Sequence, residues 1–423
     1  MLIKSPLITS NDKLQILIKL TSSLNLNQLS ITFLNVVSNN KRFANITEKS
    51  NSTIKLTDND KKLDNFESDL KEWFQIDYLL TTNSATSAEH LAFHMLKKQS
   101  DNVKIFDGAG SYNSHWSGLK DGDEVLCTPL TCTATNWPVL ANNFNIKWVD
   151  VDENTLNMNL DDLERKITPN TKAIYLVHWG GYPVDLNRVR ELQLQTERMY
   201  GFKPVVIEDC AHAFGSEYNG KKIGTHGNIC TFSFQAIKHL TSVDGGVLIV
   251  PHKELFDRGK LLRWYGIDRE NTSRKDFRCE EDVKEWGFKF HMNDVNAAVG
   301  IENLKLVDKN IAIHKSNGTY YNEHLKDVDG VTVLEHSIDR SSSYWIYTIR
   351  VERQADFMKM MAGKGIMVSR VHERNDQHTC VFEYRRNLPT LDRVVKEMIC
   401  IPVGWWVSKE DREYIVNCIK EGW

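Results

Sequence analysis

Two hydrophobic periods alternate along this chain. In "KKLDNFESDLKEWF", Leu63, Phe66, Leu70 and Phe74 recur every three or four residues, which predicts a helix with one buried face. "YLLTTNSATSAEHLAFHML" then predicts a strand, a polar turn and a helix. The middle of the chain repeats this alternation. "DEVLCTPL", "IKWVDVD", "KAIYLVHW" and "PVVIEDCAH" are strand-like, the last two being nearly continuous apolar runs. Between them lie helical patterns: "TATNWPVLANN", "NLDDLERKI" with an Asn start, and "DLNRVRELQLQTERMYG" ending at Gly201. Apolar strands alternating with helices imply a mainly parallel sheet covered on both faces.

"TFSFQAIKHLTSVDGG", Thr231 to Gly246, breaks that rhythm. Phe232 and Phe234 alternate with polar residues as in a strand. A tight Asp244-Gly245-Gly246 turn follows, and then strand-like "VLIV". Lys238 falls between the two strands, just past the end of the first. "KLLRWYGIDRE" and "DVNAAVGIENLKLVDKNIAIHKSNGTYYNEHL" predict long helices. After about residue 325, strands are expected at "VTVLEH", "YWIYTIRV" and "MVSRVH", and helices at "ADFMKMMAGKGI" and "KEDREYIVNCIKEGW". The pattern divides the chain into an extension over residues 1–60, a large α/β domain over 61–310 and a smaller C-terminal α+β domain over 311–423. Residues 97–120 read as an insertion.

The 423 residues carry a net charge of −3 without a basic block, which excludes nucleic acid as the main partner. No apolar run is long enough to span a bilayer, and the N-terminus lacks a secretory pattern, so a cytoplasmic protein away from membranes is expected. The eight cysteines form no C-x-x-C pair. Reduced thiols and no metal site are the expectation.

In open α/β sheets ligands bind beyond the carboxyl ends of the strands. Three such ends carry chemistry. Thr86 and Ser87 stand where a helix begins, and a helix N-terminus binds phosphate, although alone they suit an ordinary cap. Asp209 ends the "VVIED" run and is either solvated or paired with a cation, with His212 three residues on. Ser233 and Lys238 follow the next strand. A lysine there is either a surface group or, once desolvated, a nucleophile toward carbonyls. Pyridoxal 5'-phosphate needs a lysine, a carboxylate against its ring nitrogen and a phosphate cup. Lys238, Asp209 and the set Thr86, Ser87 and Ser233 supply all three.

At these residues the chain resembles the DegT/StrS-type sugar aminotransferases, fold type I pyridoxal-phosphate enzymes. "FSFQAIKHLTSVDGG" is similar to their lysine segment and "VIEDCAHAFGSEYNGKKIGTHG" to their aspartate segment. "GFKFHMNDVNAAVGIENL" and "ICIPVGWWVSKEDREYIVNCIKE" also match. The likeness covers about residues 60 to 423 and is nearest the 4-keto sugar branch, with the UDP-4-amino-4-deoxy-L-arabinose and perosamine synthases. It implies that Lys238 holds the cofactor covalently and shuttles a proton, and that Asp209 keeps the ring nitrogen protonated. His212 would lie by the ring, and Thr86, Ser87 and Ser233 would hold the phosphate. Cys132 stands where the family places an aromatic over the ring. The family forms homodimers with shared sites, so Lys289 is expected to reach the phosphate of the other subunit. Lys289 and His291 replace the usual Asn and Arg.

The implied reaction moves the amino group of L-glutamate to a nucleotide-linked keto-deoxy sugar, expected at C4. A 3-keto sugar aminotransferase and a sugar dehydratase of the same family are the alternatives. In the dehydratases a histidine replaces the lysine; here Lys238 takes the family position and His239 follows it. A regulatory binding protein of this fold, or a plain α/β protein, would not need the intact Lys238 and Asp209.

Overall fold

In the computed structural model residues 62–98, 118–269 and 282–423 are described. The expected extension over residues 1–60 and most of the expected insertion at 97–120 lie outside them. In chain order the first elements are α1 (Lys62–Phe74), β1 (Leu79–Thr82), α2 (Ala85–Leu96), β2 (Glu124–Cys127), α3 (Thr133–Ala141), β3 (Asn145–Trp148), α4 (Leu160–Lys166), β4 (Thr171–Val177), α5 (Leu186–Tyr200) and β5 (Val205–Asp209). Then come β6 (Glu217–Tyr218), β7 (Lys221–Lys222), β8 (Ile229–Ser233), β9 (Gly246–Ile249), α6 (Lys253–Leu262) and α7 (Asp294–Leu325). The chain ends with β10 (Val331–Val333), β11 (Arg340–Ser341), β12 (Tyr347–Val351), α8 (Gln354–Gly363), α9 (Pro389–Val394), β13 (Met398–Ile401) and α10 (Lys409–Lys420).

The central sheet has seven strands in the order β1-β9-β8-β5-β4-β2-β3. β8, β5, β4, β2 and β3 run parallel. β9 is antiparallel to both of its neighbours. The reason is local: the link from β8 to β9 contains no crossover helix, so the chain can only turn back. Lys238 sits on that link.

Side chains on each strand alternate between two cores. Ala173, Tyr175, Val205, Ile207 and Ile229 pack on one face of the sheet with α2. Ile174, Leu176, Val206, Cys230 and Phe232 pack on the other with α1 and α5. Asp209 continues the first set, because it follows Ile207 by two. The expected caps form: Asn159 accepts from Asp162 N at 2.9 Å, and Gly201 closes α5 at φ 78°. Gly has no Cβ to clash in that left-handed position.

A buried carboxylate ties three elements together. Glu67 of α1 accepts from Thr81 N at 2.8 Å and Thr81 Oγ1 at 2.7 Å, and pairs with Arg263, which follows α6. Burial alone would push its carboxyl up, but the Arg263 charge and these hydrogen bonds hold it below its usual range.

A third core forms around β12, β13, α8 and α10. α7 crosses between cores: Ala297, Val307 and Ile311 belong to the second, Tyr321 and Leu325 to the third. Three-stranded sheets β10-β12-β13 and β11-β6-β7 complete the structure. No helix among the described residues is long and apolar enough to cross a membrane.

Two expected elements differ. "KLLRWYGIDRE" is not a long helix: α6 stops at Leu262, and Tyr265 and Gly266 turn left-handed at φ 60° and 83°. The Tyr265 amide leaves the helix to donate to Phe288 O at 2.8 Å. "MVSRVH" makes only an isolated bridge, Ser369 to Cys400, because Val371 has φ 66° and breaks the extended run. As expected, Thr86 and Ser87 stand at the start of the helix after β1, in its first turn, and the cap itself is Ser84.

Candidate active site

Asp209 ends β5 and is buried, with both oxygens engaged. Thr135 Oγ1 donates to Oδ2 at 2.7 Å, and Ala211 N donates to Oδ1 at 2.9 Å. Thr135 lies in the first turn of α3 and shares a hydrogen bond with Thr131 at 2.8 Å. Burial pushes the Asp209 carboxyl up; the Thr135 and Ala211 hydrogen bonds and the Lys238 charge oppose it without cancelling it.

Lys238 follows β8 on the link to β9. Its amine lies 3.5 Å from the centroid of the Trp345 ring. Desolvation lowers it to about 8, against the pull of the Asp209 charge above all. A lysine with that value is partly neutral near physiological pH, which a nucleophile toward carbonyls requires. Trp345 is tied to the same loop, because its Nε1 donates to Ile237 O at 2.9 Å.

His212 stacks on Trp345 at 3.9 Å between centroids. Gly180 N donates to its Nδ1 at 3.3 Å, so a neutral His212 carries its proton on Nε2. That nitrogen lies 3.4 Å from Nε2 of His372. Burial, with Lys238 and His372 nearby, drives the His212 pKa well below its ordinary value, and burial and Lys238 bring His372 to about 4. Both rings are neutral, and the positive charge here belongs to Lys238.

The mouth of the site is set by a close approach. A Cβ on Gly246 would lie 2.5 Å from the Ser84 carbonyl carbon. Glycine at the start of β9 therefore lets the N-terminus of α2 settle against the sheet. Gly246 pairs with Ser233 at the end of β8, so Ser233 and the α2 terminus share one end of the sheet. Ser84 Oγ accepts from Ser87 N at 3.1 Å and donates to Ser87 Oγ at 3.0 Å. The other first-turn amides of a helix have no partner within it and suit an anion.

Cys132 caps α3 without a side-chain bond, and its carbonyl accepts from Asn375 Nδ2 at 3.1 Å. It caps the helix whose first turn holds Thr135 against Asp209, and so lies at the edge of the same site. Lys289 is placed otherwise. Its carbonyl accepts from Asn83 Nδ2 at 3.2 Å, and its amine lies 5.1 Å from the Trp264 ring centroid. Lys238, Asp209, His212 and Cys132 thus come together, with Ser233, Thr86 and Ser87 at the neighbouring end of the sheet.

These residues fit pyridoxal phosphate. A buried strand-end carboxylate, a desolvated lysine and a helix N-terminus beside a serine are the three donor types it needs. Sequence reading missed Thr135, Trp345 and His372. Thr135 was visible as a hydroxyl one turn past Cys132, whereas Trp345 and His372 sit in segments whose pattern suggested strands. The buried cluster His178, Glu208 and Cys210 has metal-binding residue types. Its nitrogens are already used: His178 Nδ1 accepts from Val184 N at 3.0 Å and Nε2 bonds Glu208 at 2.8 Å. It reads as a buried hydrogen-bonded pair in which Nε2–H of His178 donates to Glu208.

Residues 38–420 match the DegT/DnrJ/EryC1/StrS aminotransferase family, a match that starts upstream of the resemblance read from residue 60. The chain is 31% identical over 284 residues to the GDP-perosamine synthase of Escherichia coli O157:H7, covering 67% of this chain and 68% of that one. It is 27% identical over 371 residues to the UDP-4-amino-4,6-dideoxy-N-acetyl-beta-L-altrosamine transaminase of Campylobacter jejuni, covering 85% and 89%. The crystal structure of AtS13 from Actinomadura melliaura superposes with a TM-score of 0.78 at 45% identity, over 86% of this chain and 91% of that one.

Proposed function

The chain belongs to the DegT/DnrJ/EryC1/StrS aminotransferase family and is a pyridoxal-phosphate-dependent sugar aminotransferase, and we propose that it moves the amino group of L-glutamate to C4 of a nucleotide-linked 4-keto-deoxy sugar. The observation that carries the reading is a desolvated Lys238, lowered to about 8, on the link after β8 and within electrostatic reach of the buried Asp209 that ends the neighbouring β5. The names of the two curated relatives support a nucleotide sugar, and one of them specifies a 4-amino product.

Pyridoxal phosphate, when bound, supplies a carbonyl that accepts the amino group and a ring that takes up electrons. Asp209 would sit by the ring nitrogen and Lys238 by the carbonyl carbon. Thr86, Ser87 and Ser233 would hold the phosphate at the α2 terminus. Lys238 Nζ takes the proton from the donor carbon and returns it to the sugar carbon. One group serves both steps because its proton affinity lies near the working pH. Neutral His212 stacks and orients without adding charge, and Trp345 excludes water from the amine. Two copies of the chain would form a homodimer, with Lys289 of each serving the other's phosphate. Cytoplasmic location and a lobe boundary within α7, near residue 310, complete the reading.

His239 favours the aminotransferase over the dehydratase. Its Nε2 lies 3.0 Å from Ser343 O, and its ring faces His314 at 4.6 Å. It is held by backbone while Lys238 faces the site. The test is the visible spectrum of the protein with pyridoxal phosphate, before and after L-glutamate, followed by NMR of products from UDP-, GDP- and TDP-linked 4-keto and 3-keto sugars. A band that bleaches with glutamate, and an amine at C4, are expected. A band indifferent to glutamate, or an amine at C3, would overturn the donor or the position.

A further inference from the structure

Glu89 lies in the second turn of α2, only 1% exposed, and its Oε2 has no hydrogen-bond partner. Leaving such an atom unpartnered is costly, and buried polar groups are nearly always bonded. Nothing in the chemistry above uses it. Two more buried atoms without partners lie on the sheet face that α2 covers: Tyr175 Oη on β4 and Thr231 Oγ1 on β8. Asp209 stands between those strands on the same face and pairs directly with Thr231. Glu89 and Tyr175 face each other short of bonding geometry and both feel the Asp209 charge, and Thr231 is the register partner of Asp209, so the three atoms lie on the side of the sheet that holds this carboxylate.

We propose that Glu89 is a positioning residue for Asp209: the two carboxyls form one buried acid pair beneath α2, in which Glu89 keeps its proton and Asp209 carries the charge. The proposal rests on Asp209 serving the ring nitrogen. Two like charges in one dry pocket disfavour double ionisation, and the member with the weaker hydrogen-bond donors holds the proton. Asp209 has two well-formed donors, Thr135 and Ala211 N, whereas Glu89 Oε2 has none in bonding geometry. Only the Tyr175 hydroxyl faces Glu89, and its pull toward ionisation is weaker than the opposing push of burial and the Asp209 charge. The groups facing Glu89 are Asp209 on β5, Tyr175 on β4, Cys132 before α3 and Lys238 after β8. Those facing Asp209 are Thr135, Ala211 N, Lys238 and His178. Burial first, and the Asp209 charge second, push Glu89 well above the usual carboxylate range, in line with the assignment. A neutral Glu89 leaves a single negative charge beside the ring and offers an O–H to the pocket. It thereby sets how firmly the ring nitrogen keeps its proton.

Glu89→Gln and Glu89→Leu test this, first on the cofactor-free protein. The infrared difference between wild type and Glu89→Gln at neutral pH should contain the carbonyl band of a protonated acid. The folded carboxyl holds its proton to higher pH than the unfolded one, so wild type loses stability as pH rises above about 4.3. The Tm of Glu89→Gln should therefore gain on wild type from pH 5 to 8. With pyridoxal phosphate bound, Glu89→Gln should keep the wild-type kcat at neutral pH. Glu89→Leu should lose on the order of tenfold, the size of one buried hydrogen bond, and shift the pH midpoint of the visible band. Absence of the acid band, or equal spectral titrations for the Gln and Leu variants, overturns the proposal. A wild type that binds no pyridoxal phosphate would instead remove the cofactor reading, while the infrared and Tm arms still report on the pair.

Discussion

At the scale of single residues, the site works by removing water from two opposite charges and then compensating them unequally. Asp209 keeps its charge through Thr135 and Ala211 N, and Lys238 gives up part of its own through burial. Thr135→Val deletes one donor to Asp209, so the carboxyl is protonated more readily. The acid limb of kcat/KM against pH should move to higher pH, with the rate at neutral pH falling by about tenfold or less. An unmoved acid limb would show that Asp209 ionisation does not depend on Thr135. Lys238 makes a second prediction, in the cofactor-free protein. Unfolded chains hold the lysine proton up to about pH 10, whereas folded ones release it near 8. Between those values the unfolded state binds more protons, so the stability tied to this residue rises with pH. Lys238→Met, which cannot be charged, should melt higher than wild type at pH 7, and the gap should close toward pH 10. A gap that does not change with pH would contradict the buried amine.

Elements deliver these residues through register and close packing. Asp209, Thr231 and Ser233 share a face because strands alternate, and α2 reaches that face because Gly246 has no side chain. Gly246→Ala should push the α2 terminus off the sheet. Overpacking of this kind costs about 1–3 kcal/mol. Pyridoxal phosphate affinity, measured by absorbance titration, should fall while L-glutamate still bleaches the band that forms. Unchanged affinity would mean that the α2 terminus does not carry the phosphate. This scale also separates what the sequence discloses from what it hides. Apolar periodicity locates β5, α5 and the whole of α7, since their patterns are set by burial on one side or both. The Lys238 and Asp209 segments are legible because each is local. The stop of α6 at Leu262 and the cap at Ser84 are not, because the first depends on Phe288, distant in sequence, and the second on a choice among adjacent hydroxyls. Trp345, His372 and Glu89 are hidden for the same reason as the α6 stop: their chemistry exists only once segments far apart in sequence meet.

At the scale of the whole molecule, the C-terminal part is not a free-standing lobe. Val381, Leu388, Leu391, Val394 and Met398 pack into the same core as Val125 and Ile207 of the central sheet. Asp150, just past β3, caps α9 from across that junction, accepting from Thr390 N and Leu391 N, each at 2.9 Å. Asn375 N donates to Pro129 O at 2.8 Å, and Asn375 Nδ2 to the Cys132 carbonyl, so the same junction fixes the loop that leads to Thr135. Shared core and shared caps make the described parts unfold together. Calorimetry of the cofactor-free protein should show one cooperative transition whose calorimetric and van't Hoff enthalpies agree. Asp150→Ala removes a cap worth about 0.5–2 kcal/mol. It should lower the Tm of that single transition and also weaken pyridoxal phosphate binding, because the Cys132 to Thr135 segment loses its support. A split into two transitions, with cofactor binding following only the one at higher temperature, would show instead that the C-terminal segments fold apart from the site and merely rest against it.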